Sequence, residues 1–265
     1  MKLHCFTLNW NGKELLQNML PSLIKNLERL SCDWQIHVKD NGSSDNSINF
    51  MENFPVSIIK INHNRDSFAA GVNLLFNQSQ AANDDILLLL NNDIKFLDDN
   101  SLKCMLDSML NYNAGVVGCR LMYENGKISH NGVIFSKKYG NMPWHYREGE
   151  KVEKKDLVNR KFQAVTAACC LVKVKCFKKA GMMNEKLRWA FEDIDLNLDI
   201  SLNQKEKIIC CGKPNIIHIT SKTLKKNPVH KMFMNQNVKY FKEKWFGKYV
   251  IDHDLYLNND NYNII

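Results

Sequence analysis

The carboxylate of Asp93 follows a strongly apolar run, Ile86–Leu90, after two asparagines. An uninterrupted aliphatic run of this length is typical of a central strand that is buried on both faces of a parallel sheet. Open α/β sheets bind ligands beyond the carboxyl ends of their strands, so Asp93 is placed to hold a cation. The alternative is a helix cap, because turn-forming residues such as Asp98 follow closely.

A second group of acids lies about a hundred residues later, where Glu192, Asp193 and Asp195 begin a helical pattern. His218 then follows another short apolar run. Together with Asp93, these residue types suggest a metal, a charged nucleotide and a base. Two ordinary interpretations stay open. Acids in a first turn complement the helix N-terminus, and a lone histidine in an apolar strand is commonly a core residue.

Polar and aromatic residues also occupy the ends of the first two predicted strands. Asn9, Trp10 and Asn11 follow the first strand, and Asp40 follows the second. Both tips face one crevice if the two strands are parallel neighbours. In that crevice an indole can stack on a nucleobase, and a carboxylate can accept a base N–H. The competing interpretation is a tryptophan that covers the sheet edge and an ordinary turn at Asp40.

The elements that must position these residues alternate between strand and helix in the first part of the chain. Strands are predicted at residues 2–8, 34–39, 56–62 and 86–90, with helical stripes between and after them at 15–27, 48–51, 70–80 and 102–111. Repeated β-α-β units imply right-handed crossovers and a mainly parallel sheet.

The pattern is less regular after residue 111. Strands are predicted at residues 116–121, 133–135, 169–174, 208–211 and 216–219, and helices at 194–202 and 231–246. Residues 137–161 are polar, basic and aromatic, which predicts a long loop. We expect the last of these helices to form a carboxy-terminal helical appendage.

Size and composition are those of one globular α/β domain with a small appendage. The chain has 265 residues, of which 45% are hydrophobic and 24% are charged. Its 9 cysteines include no C-x-x-C pair, which favours reduced core residues over a disulfide framework or a zinc site. No apolar run approaches the length of about eighteen residues that crosses a bilayer, and the first strand begins too early for a signal peptide, so we expect a cytoplasmic protein.

The net charge of +8 is concentrated at residues 151–161, 173–179 and 222–248. This balance favours nucleotide phosphates, an anionic membrane surface or nucleic acid as partners, without choosing among them. Neither a G-x-G-x-x-G segment nor a G-x-x-x-x-G-K-[ST] segment is present. A dinucleotide-binding fold and a P-loop are therefore disfavoured.

Several segments occur in the order known from one protein family. They are LNWNG at 8–12, VKDNGSSDNS at 38–47, NRDSFAAGVN at 64–73, LNND at 90–93, NGKISHNG at 125–132, FEDIDL at 191–196 and IH at 217–218. Each is weak alone, but the ordered set is specific. The chain resembles the inverting, metal-dependent GT-A glycosyltransferases of the family-two type, especially the rhamnosyltransferase-like branch that builds bacterial polysaccharides. The resemblance implies a GT-A (Rossmann-like) sheet flanked by helices over residues 1–225, with a helical extension over 226–265.

The resemblance also implies roles for individual residues. The nucleotide sugar would be bound by Asn9, Trp10, Asn11, Asp40, Asn73, Asn91 and Asn92. Asp93 and His218 would hold Mn2+ or Mg2+, because a divalent cation stabilises the charge of the departing diphosphate. Asp193 would take the proton of the acceptor hydroxyl. Glu192 and Asp195 would orient the acceptor, hold the loop or cap the helix start.

This chain departs from the family pattern at two of these positions. Asn91 stands where the family usually has a first acid, so metal affinity would be weak or would depend on His218 and on the nucleotide. Asn9 stands where a threonine is common. We also expect Trp144, His145 and Arg147 to form a lid or an acceptor wall, or else an exposed loop. A further expectation is that Lys222, Lys225 and Lys226 close over the diphosphate or lie on a solvated surface.

The expected activity is transfer of a hexosyl or deoxyhexosyl group from a nucleotide-diphosphate sugar to a saccharide or lipid-linked saccharide, in surface polysaccharide synthesis. An amphipathic helix at residues 239–248 would touch the inner face of the membrane peripherally, or a partner subunit. One alternative is a glycosyltransferase that modifies nucleic acid or protein, which the positive charge permits. Another is a nucleotide-sugar-binding module without catalysis, for which Asn91 is the sequence hint.

Overall fold

The computed structural model describes residues 1–61, 67–188, 190–219 and 228–265. Its strands are β1 (Lys2–Asn9), β2 (Asp33–Asp40), β3 (Val56–Lys60), β4 (Ile86–Leu90), β5 (Ile94–Phe96), β6 (Val116–Met122), β7 (Ile128–His130), β8 (Val133–Ser136), β9 (Met142–His145), β10 (Arg160–Phe162), β11 (Cys169–Lys173) and β12 (Ile208–His218). Its helices are α1 (Lys13–Leu27), α2 (Ser47–Met51), α3 (Phe68–Ser79), α4 (Ser101–Asn111), α5 (Val174–Lys179), α6 (Glu192–Leu198), α7 (Pro228–Trp245) and α8 (His253–Asn258).

Most of the strands join one mixed sheet. Along it the order is β10-β12-β6-β11-β4-β1-β2-β3, with β5 paired to β12 and β7 paired to β6. Strands β1 to β4 are mutually parallel where they pair, as the β-α-β pattern predicts. β11 runs antiparallel between β4 and β6, so the sheet is mixed beyond that point. β8 and β9 form a separate antiparallel hairpin.

Alternation along β4 divides the core into two layers. Ile86, Leu88 and Leu90 pack with α1 and α4 on one face, whereas Leu87 and Leu89 pack with α3 and α5 on the other. All five side chains are almost completely buried. Helices on both faces are the reason that this strand is apolar at every position rather than at every second one.

The segment at residues 137–161 is not the long loop that its composition predicts. It contains β9, the start of β10 and two single turns of 3-10 helix, Lys137–Tyr139 and Lys154–Asp156. Arg147 is 8% exposed and pairs with Glu150, Glu153 and Asp156 at 2.7–2.9 Å. This ion cluster, which is centred on the buried pair of Arg147 and Asp156, orders a polar segment whose sequence carries no strand periodicity.

The two strands predicted at 208–211 and 216–219 are one strand, β12, with an irregularity between Cys211 and Ile216. Arg120 on β6 holds this irregular part, since it donates from Nε to the carbonyl of Gly212 and from Nη2 to that of Pro214, both at 3.0 Å. Beyond the irregularity, β12 continues far enough to pair with β5 and to carry His218.

The carboxy-terminal helix α7 turns its aromatic side toward the protein. Phe241 and Trp245 are buried with Val133, Phe135 and residues of α6, whereas Phe246 is 55% exposed. Most of the apolar face that the sequence offers for a membrane or a partner is thus covered by the chain itself. Within the part of the chain that the structure describes, no helix combines the length and apolarity needed to cross a membrane.

The packing of β12 against residues 156–158 can be tested at Gly212. A Cβ at this position would collide with the backbone oxygens of Asp156 and Val158, which cannot rotate away. We expect Gly212→Ala to lower the free energy of unfolding by about 2–3 kcal/mol, as overpacking does. Urea denaturation measures the change.

Lys213→Ala is the matched control, because this neighbouring side chain is exposed. It should change the free energy of unfolding by no more than about 0.5 kcal/mol. Equal stability of the Gly212 variant and the wild type would contradict the packing described.

Candidate active site

The tips of β1 and β2 are joined by a buried polar network. Asn9 lies opposite Asp40 in the parallel register. Its Nδ2 donates to Asp40 Oδ2 at 2.9 Å and to Ser43 Oγ at 3.1 Å. Asp40 also accepts from the backbone N–H groups of Gly42 and Ser43 and from the Ser43 hydroxyl. The fully buried Asp40 carboxylate is therefore occupied in shaping its own turn.

The rim of this network is formed by Trp10 and Asn11. The Trp10 side chain is 45% exposed, so its ring is accessible at the edge of the crevice. Asn11 has a φ of 48° and accepts from the backbone N–H of Ser44 at 2.7 Å. Gly12 follows, and a Cβ there would collide with the side chains of Asn9 and Asn92. A side chain at position 12 would therefore displace the hydrogen bond between Asn9 and Asn92.

The residues after β4 extend this network. Asn92 donates from Nδ2 to Asn9 Oδ1 at 3.1 Å, which ties the β4 tip to the β1 tip. Asn91 donates its backbone N–H to the carbonyl of Ala168 at 2.9 Å. Asn73 lies apart from these asparagines. Its side chain bonds both backbone groups of Met183 and thereby holds the loop that follows α5.

Asp93 and His218 come together because β5 pairs with β12. Ile94 lies opposite His218 in the antiparallel register, and the backbone N–H of Ile219 donates to the Asp93 carbonyl at 2.7 Å. His218 Nε2 lies 3.1 Å from Asp93 Oδ1. That oxygen is buried, and the contact lacks the angles of a good hydrogen bond. Two ligand atoms of one divalent cation are separated by a similar distance.

Asp193 lies in the first turn of α6, after a residue with unusual backbone geometry. Phe191 has a φ of 71°, which is rare for a bulky residue and costs roughly 1–3 kcal/mol. Asp193 Oδ2 accepts the backbone N–H of Ala167 at 3.1 Å, and Oδ1 accepts that of Ile194 at 2.8 Å. Each oxygen keeps a lone pair for a further donor.

Glu192 differs from its neighbour because it is buried. It is 8% exposed, and its Oε2 atom has no hydrogen-bond partner in the described part of the chain. Burial, reinforced by the charge of Asp193, raises the pKa of Glu192 to about 8. Burial therefore favours the protonated form of Glu192 at neutral pH.

The carboxylate of Asp195 is bound by side chains, whereas that of Asp193 accepts from backbone N–H groups. The Asp195 carboxylate accepts from Trp245 Nε1 at 2.6 Å, Lys244 Nζ at 2.8 Å and Asn184 Nδ2 at 3.2 Å. It is 4% exposed. Of the roles that the sequence leaves open for Asp195, this geometry fits that of holding a segment, since it fastens α7 to α6.

A cavity of about 300 Å³ opens beside Asp193. It is largely apolar, and its other lining residues are Val133, Pro143, Trp144, His145, Ala190, Phe191, Ile194 and Met234. Trp144 and His145 are thus part of a wall, as the sequence allows, whereas Arg147 is held in its ion cluster. Burial lowers the pKa of His145, against the charges of Glu148 and Asp193.

Residues 166–168 connect the acidic groups to one another. Three successive residues make three contacts: Thr166 N–H to His130 Nε2, Ala167 N–H to Asp193 Oδ2, and the Ala168 carbonyl to the Asn91 N–H. The β4 tip and the start of α6, about a hundred residues apart in sequence, are therefore neighbours. The sequence gives no signal for residues 166–168, because they act through backbone groups.

The donor set fits a divalent cation. One carboxylate oxygen and one imidazole nitrogen suit Mn2+, and phosphate oxygens would complete its coordination. No group of three His, Cys, Asp or Glu side chains able to hold a metal occurs in the described ranges 1–61, 67–188, 190–219 and 228–265. The chain thus offers a partial ligand set. Lys222, Lys225 and Lys226, and residues 64–66 of the glycine-rich segment, lie outside the described residues.

Residues 6–181, more than half of the chain, match the family described as Glycosyl transferase family 2. The chain belongs to this family. Over 144 residues this family 2 chain is 26% identical to the O-antigen biosynthesis protein RfbC of Myxococcus xanthus. That match covers 53% of the chain and 11% of RfbC, so the chain spans about a tenth of that curated relative.

Solved structures confirm the GT-A fold of this family 2 chain. GalNAc-T7 with UDP, GalNAc and Mn2+ superposes with a TM-score of 0.66 at 11% identity, covering 93% of this chain and 48% of that one. The mannosyltransferase PcManGT from Pyrobaculum calidifontis, in complex with GDP-Man and Mn2+, gives a TM-score of 0.61 at 11% identity, covering 94% and 65%. At such identities the likeness shows the fold alone.

The raised pKa of Glu192 predicts a pH-dependent stability. The folded state keeps the Glu192 proton up to about pH 8, whereas the unfolded chain releases it near 4.5. Stability should therefore fall as pH rises between these values, with a slope of at most about 1.4 kcal/mol per pH unit. Glu192→Gln copies the neutral carboxyl, and its gain in stability over the wild type should grow from pH 5 to pH 8.

Urea denaturation at pH 5, 6.5 and 8 measures this difference. The exposed Glu243→Gln is the matched control, and its stability profile should run parallel to that of the wild type. If the Glu192 variant also gave a parallel profile, Glu192 would be charged in the folded protein.

Proposed function

We propose that this chain is a metal-dependent inverting glycosyltransferase that transfers a hexosyl or deoxyhexosyl group. The donor is a nucleotide-diphosphate sugar, and the acceptor is a hydroxyl of a saccharide or lipid-linked saccharide. The observation that carries the proposal is the backbone link at residues 166–168, which sets Asp193 beside the β4 tip that leads to Asp93. The proposed proton acceptor and the proposed cation site would thus lie in one region.

The strand tips would form the nucleotide part of the site. Trp10 is exposed at its edge and would stack on the base, and Asn11 and Asn92 would contact polar groups of the nucleotide sugar. Asp40 and Asn73 would act indirectly, since their side chains already hold loops beside the site. Asn9 joins the tips of β1, β2 and β4.

Asp93 and His218 would hold Mn2+ or Mg2+, which is supported by the buried Asp93 Oδ1 and the nearby imidazole nitrogen. When bound, the cation would stabilise the negative charge of the leaving diphosphate. Both GalNAc-T7 and PcManGT were crystallised with Mn2+, which supports the same cofactor here. Asn91 would contribute at most a neutral ligand, so binding of the metal would depend on the nucleotide.

Asp193 would take the proton of the acceptor hydroxyl as that oxygen attacks the anomeric carbon. An ordinary carboxylate suffices because the proton is lost late, when the attacking oxygen has become acidic. The acceptor oxygen would attack directly, with Asp193 as the base, and would displace the nucleoside diphosphate from the opposite face of the sugar. A single base acting on the acceptor gives inversion.

The name of the relative RfbC supports a role in polysaccharide synthesis, and the motif order favours the rhamnosyltransferase-like branch. We place the catalytic domain at residues 1–225 and the helical extension at 226–265. Phe246 and Val250 are exposed on that extension, and a peripheral membrane contact at the inner face would use them. Such a location agrees with a cytoplasmic enzyme that meets a lipid-linked acceptor.

Replacement of the base tests the activity. We expect Asp193→Asn to lower kcat for transfer at least about 100-fold while leaving the Kd of the donor within threefold. The donor is chosen among UDP-GlcNAc, UDP-GalNAc, GDP-mannose and dTDP-rhamnose by thermal shift with Mn2+. Transfer is then measured on a panel of methyl glycosides.

Asp199→Asn is the matched control. This carboxylate follows α6 directly but accepts from Asn203 and Gln204, outside the cavity beside Asp193. Its kcat should equal that of the wild type. Undiminished transfer by the Asp193 variant would contradict the assignment of the base, and absence of turnover in the wild type would favour a binding module.

The partial ligand set predicts that metal binding needs the nucleotide. Isothermal titration of Mn2+ should give weak binding to the protein alone and at least about tenfold tighter binding with UDP or GDP present. Asp93→Asn and His218→Ala should each abolish most of that gain. His253→Gln, which changes a histidine at the start of α8 that is bonded to Ser136, should keep it. Equal Mn2+ affinity in the Asp93 variant and the wild type would contradict the proposed site.

A further inference from the structure

The buried imidazole of His130 has a fixed tautomer. His130 ends β7 and is 1% exposed. The backbone N–H groups of Gly132 and Thr166 both donate to its Nε2, at 3.2 and 3.3 Å. A ring nitrogen that accepts hydrogen bonds cannot carry a proton, so His130 is neutral and its proton is on Nδ1. Burial also lowers the pKa of His130.

His130 in turn fixes the tautomer of His145. The two Nδ1 atoms are 2.6 Å apart, and the rings meet edge to face at 81°. Since His130 Nδ1 carries the proton, His130 Nδ1 is the donor of this hydrogen bond. His145 Nδ1 is the acceptor and is therefore unprotonated. A neutral His145 therefore has its proton on Nε2. Neither ring needs to titrate for this arrangement to hold.

The backbone around this pair is rigid. Gly132 has a φ of 100°, and a Cβ there would collide with the ring of Phe162. Only glycine is therefore suited to this position, from which the backbone N–H donates to His130. His145 lies opposite Val133 in the β8–β9 hairpin. The backbone N–H of Tyr146 donates to the Gly132 carbonyl at 2.9 Å. Both imidazoles thus have fixed positions.

His145 lines the same cavity as Asp193. In an imidazole ring Nε2 lies away from Nδ1, so the N–H of His145 is on the side turned away from the buried His130. With its N–H on that side, His145 would give the cavity an N–H donor beside the carboxylate acceptor of Asp193, against the apolar surfaces of Trp144 and Phe191. Apolar walls with a few placed polar groups are the usual composition of a small-molecule site.

A donor and an acceptor side by side suit two oxygens of one sugar. The attacking hydroxyl must give its proton to Asp193 and keep a lone pair for the new bond. An N–H bonded to one of the two lone pairs of that same oxygen would withdraw electron density from it and slow the attack. The N–H of His145 is therefore suited to a neighbouring hydroxyl of the acceptor, which it would orient without weakening the nucleophile.

We propose that His145, with its proton held on Nε2 by the positioning residue His130, binds an acceptor hydroxyl next to the one that reacts. This assignment rests on the proposed glycosyltransferase function and adds to it a residue that determines acceptor specificity. An acceptor that lacks the neighbouring hydroxyl leaves the N–H unpaired and binds poorly.

The tautomers are measured without any activity. Two-bond 15N–1H correlation spectra of the wild-type protein at pH 7.5 distinguish protonated from unprotonated ring nitrogens, and His145→Gln and His130→Asn assign the two rings. We expect His130 protonated on Nδ1 and His145 protonated on Nε2. The reverse tautomer at His145, or a doubly protonated ring, overturns the proposal.

Kinetics then separate a substrate contact from a purely structural role. His145→Ala should raise the KM for the methyl glycoside acceptor about tenfold or more, with little change in kcat. Glutamine places an amide N–H near the position of Nε2, so His145→Gln should keep the KM within about threefold. His253→Ala, which removes a histidine bonded to Ser136 outside the cavity, is the control and should leave the KM unchanged.

Hydrolysis of the nucleotide sugar by water distinguishes the acceptor from the donor as the group bound. It should be equal in the wild type and in His145→Ala, because no acceptor sugar takes part. Slower hydrolysis in the variant, or an unchanged acceptor KM, overturns the proposal while the transferase activity stands. Absence of transfer in the wild type overturns the proposed function and the role of His145 together, whatever the tautomers.

The acceptor itself provides a second readout. In the wild type, one monodeoxy methyl glycoside should bind about tenfold more weakly than its parent, and in His145→Ala the two should bind equally. The four affinities form a double-mutant cycle between one hydroxyl and one side chain. Loss of the discrimination in His145→Ala would show that the two groups interact. Independent effects of the two changes would overturn the contact.

Discussion

Three consecutive peptide groups at residues 166–168 are the constraint on which the candidate site depends. Their hydrogen bonds reach His130, Asp193 and Asn91, which lie on three separate parts of the chain. The segment leads into β11, the antiparallel strand between β4 and β6. Because β11 is paired on both sides, the position of residues 166–168 is fixed by the sheet. The side chains that these residues contact are held in place relative to them.

Two adjacent carboxyl groups at the start of α6 show how burial divides chemical roles. Glu192 is enclosed and keeps its proton, whereas Asp193 is partly open and is bonded by two backbone N–H groups. Their sequence positions are nearly equivalent, and both would complement a helix N-terminus. The difference arises because a turn of helix points successive side chains in different directions, one into the core and one into the cavity.

Local patterns predicted much of the fold. The apolar run of β4 and the helical stripes of α1 and α4 define the two faces of the parallel half, since each is read within a few residues. The β5–β12 pairing that joins Asp93 to His218 could not be predicted in this way, because β5 has only three residues and its partner lies more than a hundred positions away. The prediction of a loop at 137–161 was wrong for a related reason, because the order of this segment comes from the ion cluster of Arg147 rather than from periodicity.

The same distinction applies to individual polar residues. Asp193 and His218 could be singled out from their types and from the strand or helix start beside them. The internal bonds of Asp40 and Asn73 depend on loops brought close by the fold. For His145 the sequence left an acceptor wall and an exposed loop as alternatives, because its contact with His130 exists only once β7 and β9 are adjacent.

The anchorage of Asp195 makes the last part of the chain inseparable from α6. The buried carboxylate of Asp195 accepts from Trp245 and Lys244, both at the end of α7. A shortened protein that ended before α7 would leave this charge enclosed without those two donors, two residues from Asp193. Expression of a minimal fragment therefore has to retain the tail, even though none of its residues lies at the tips of β1, β2 and β4.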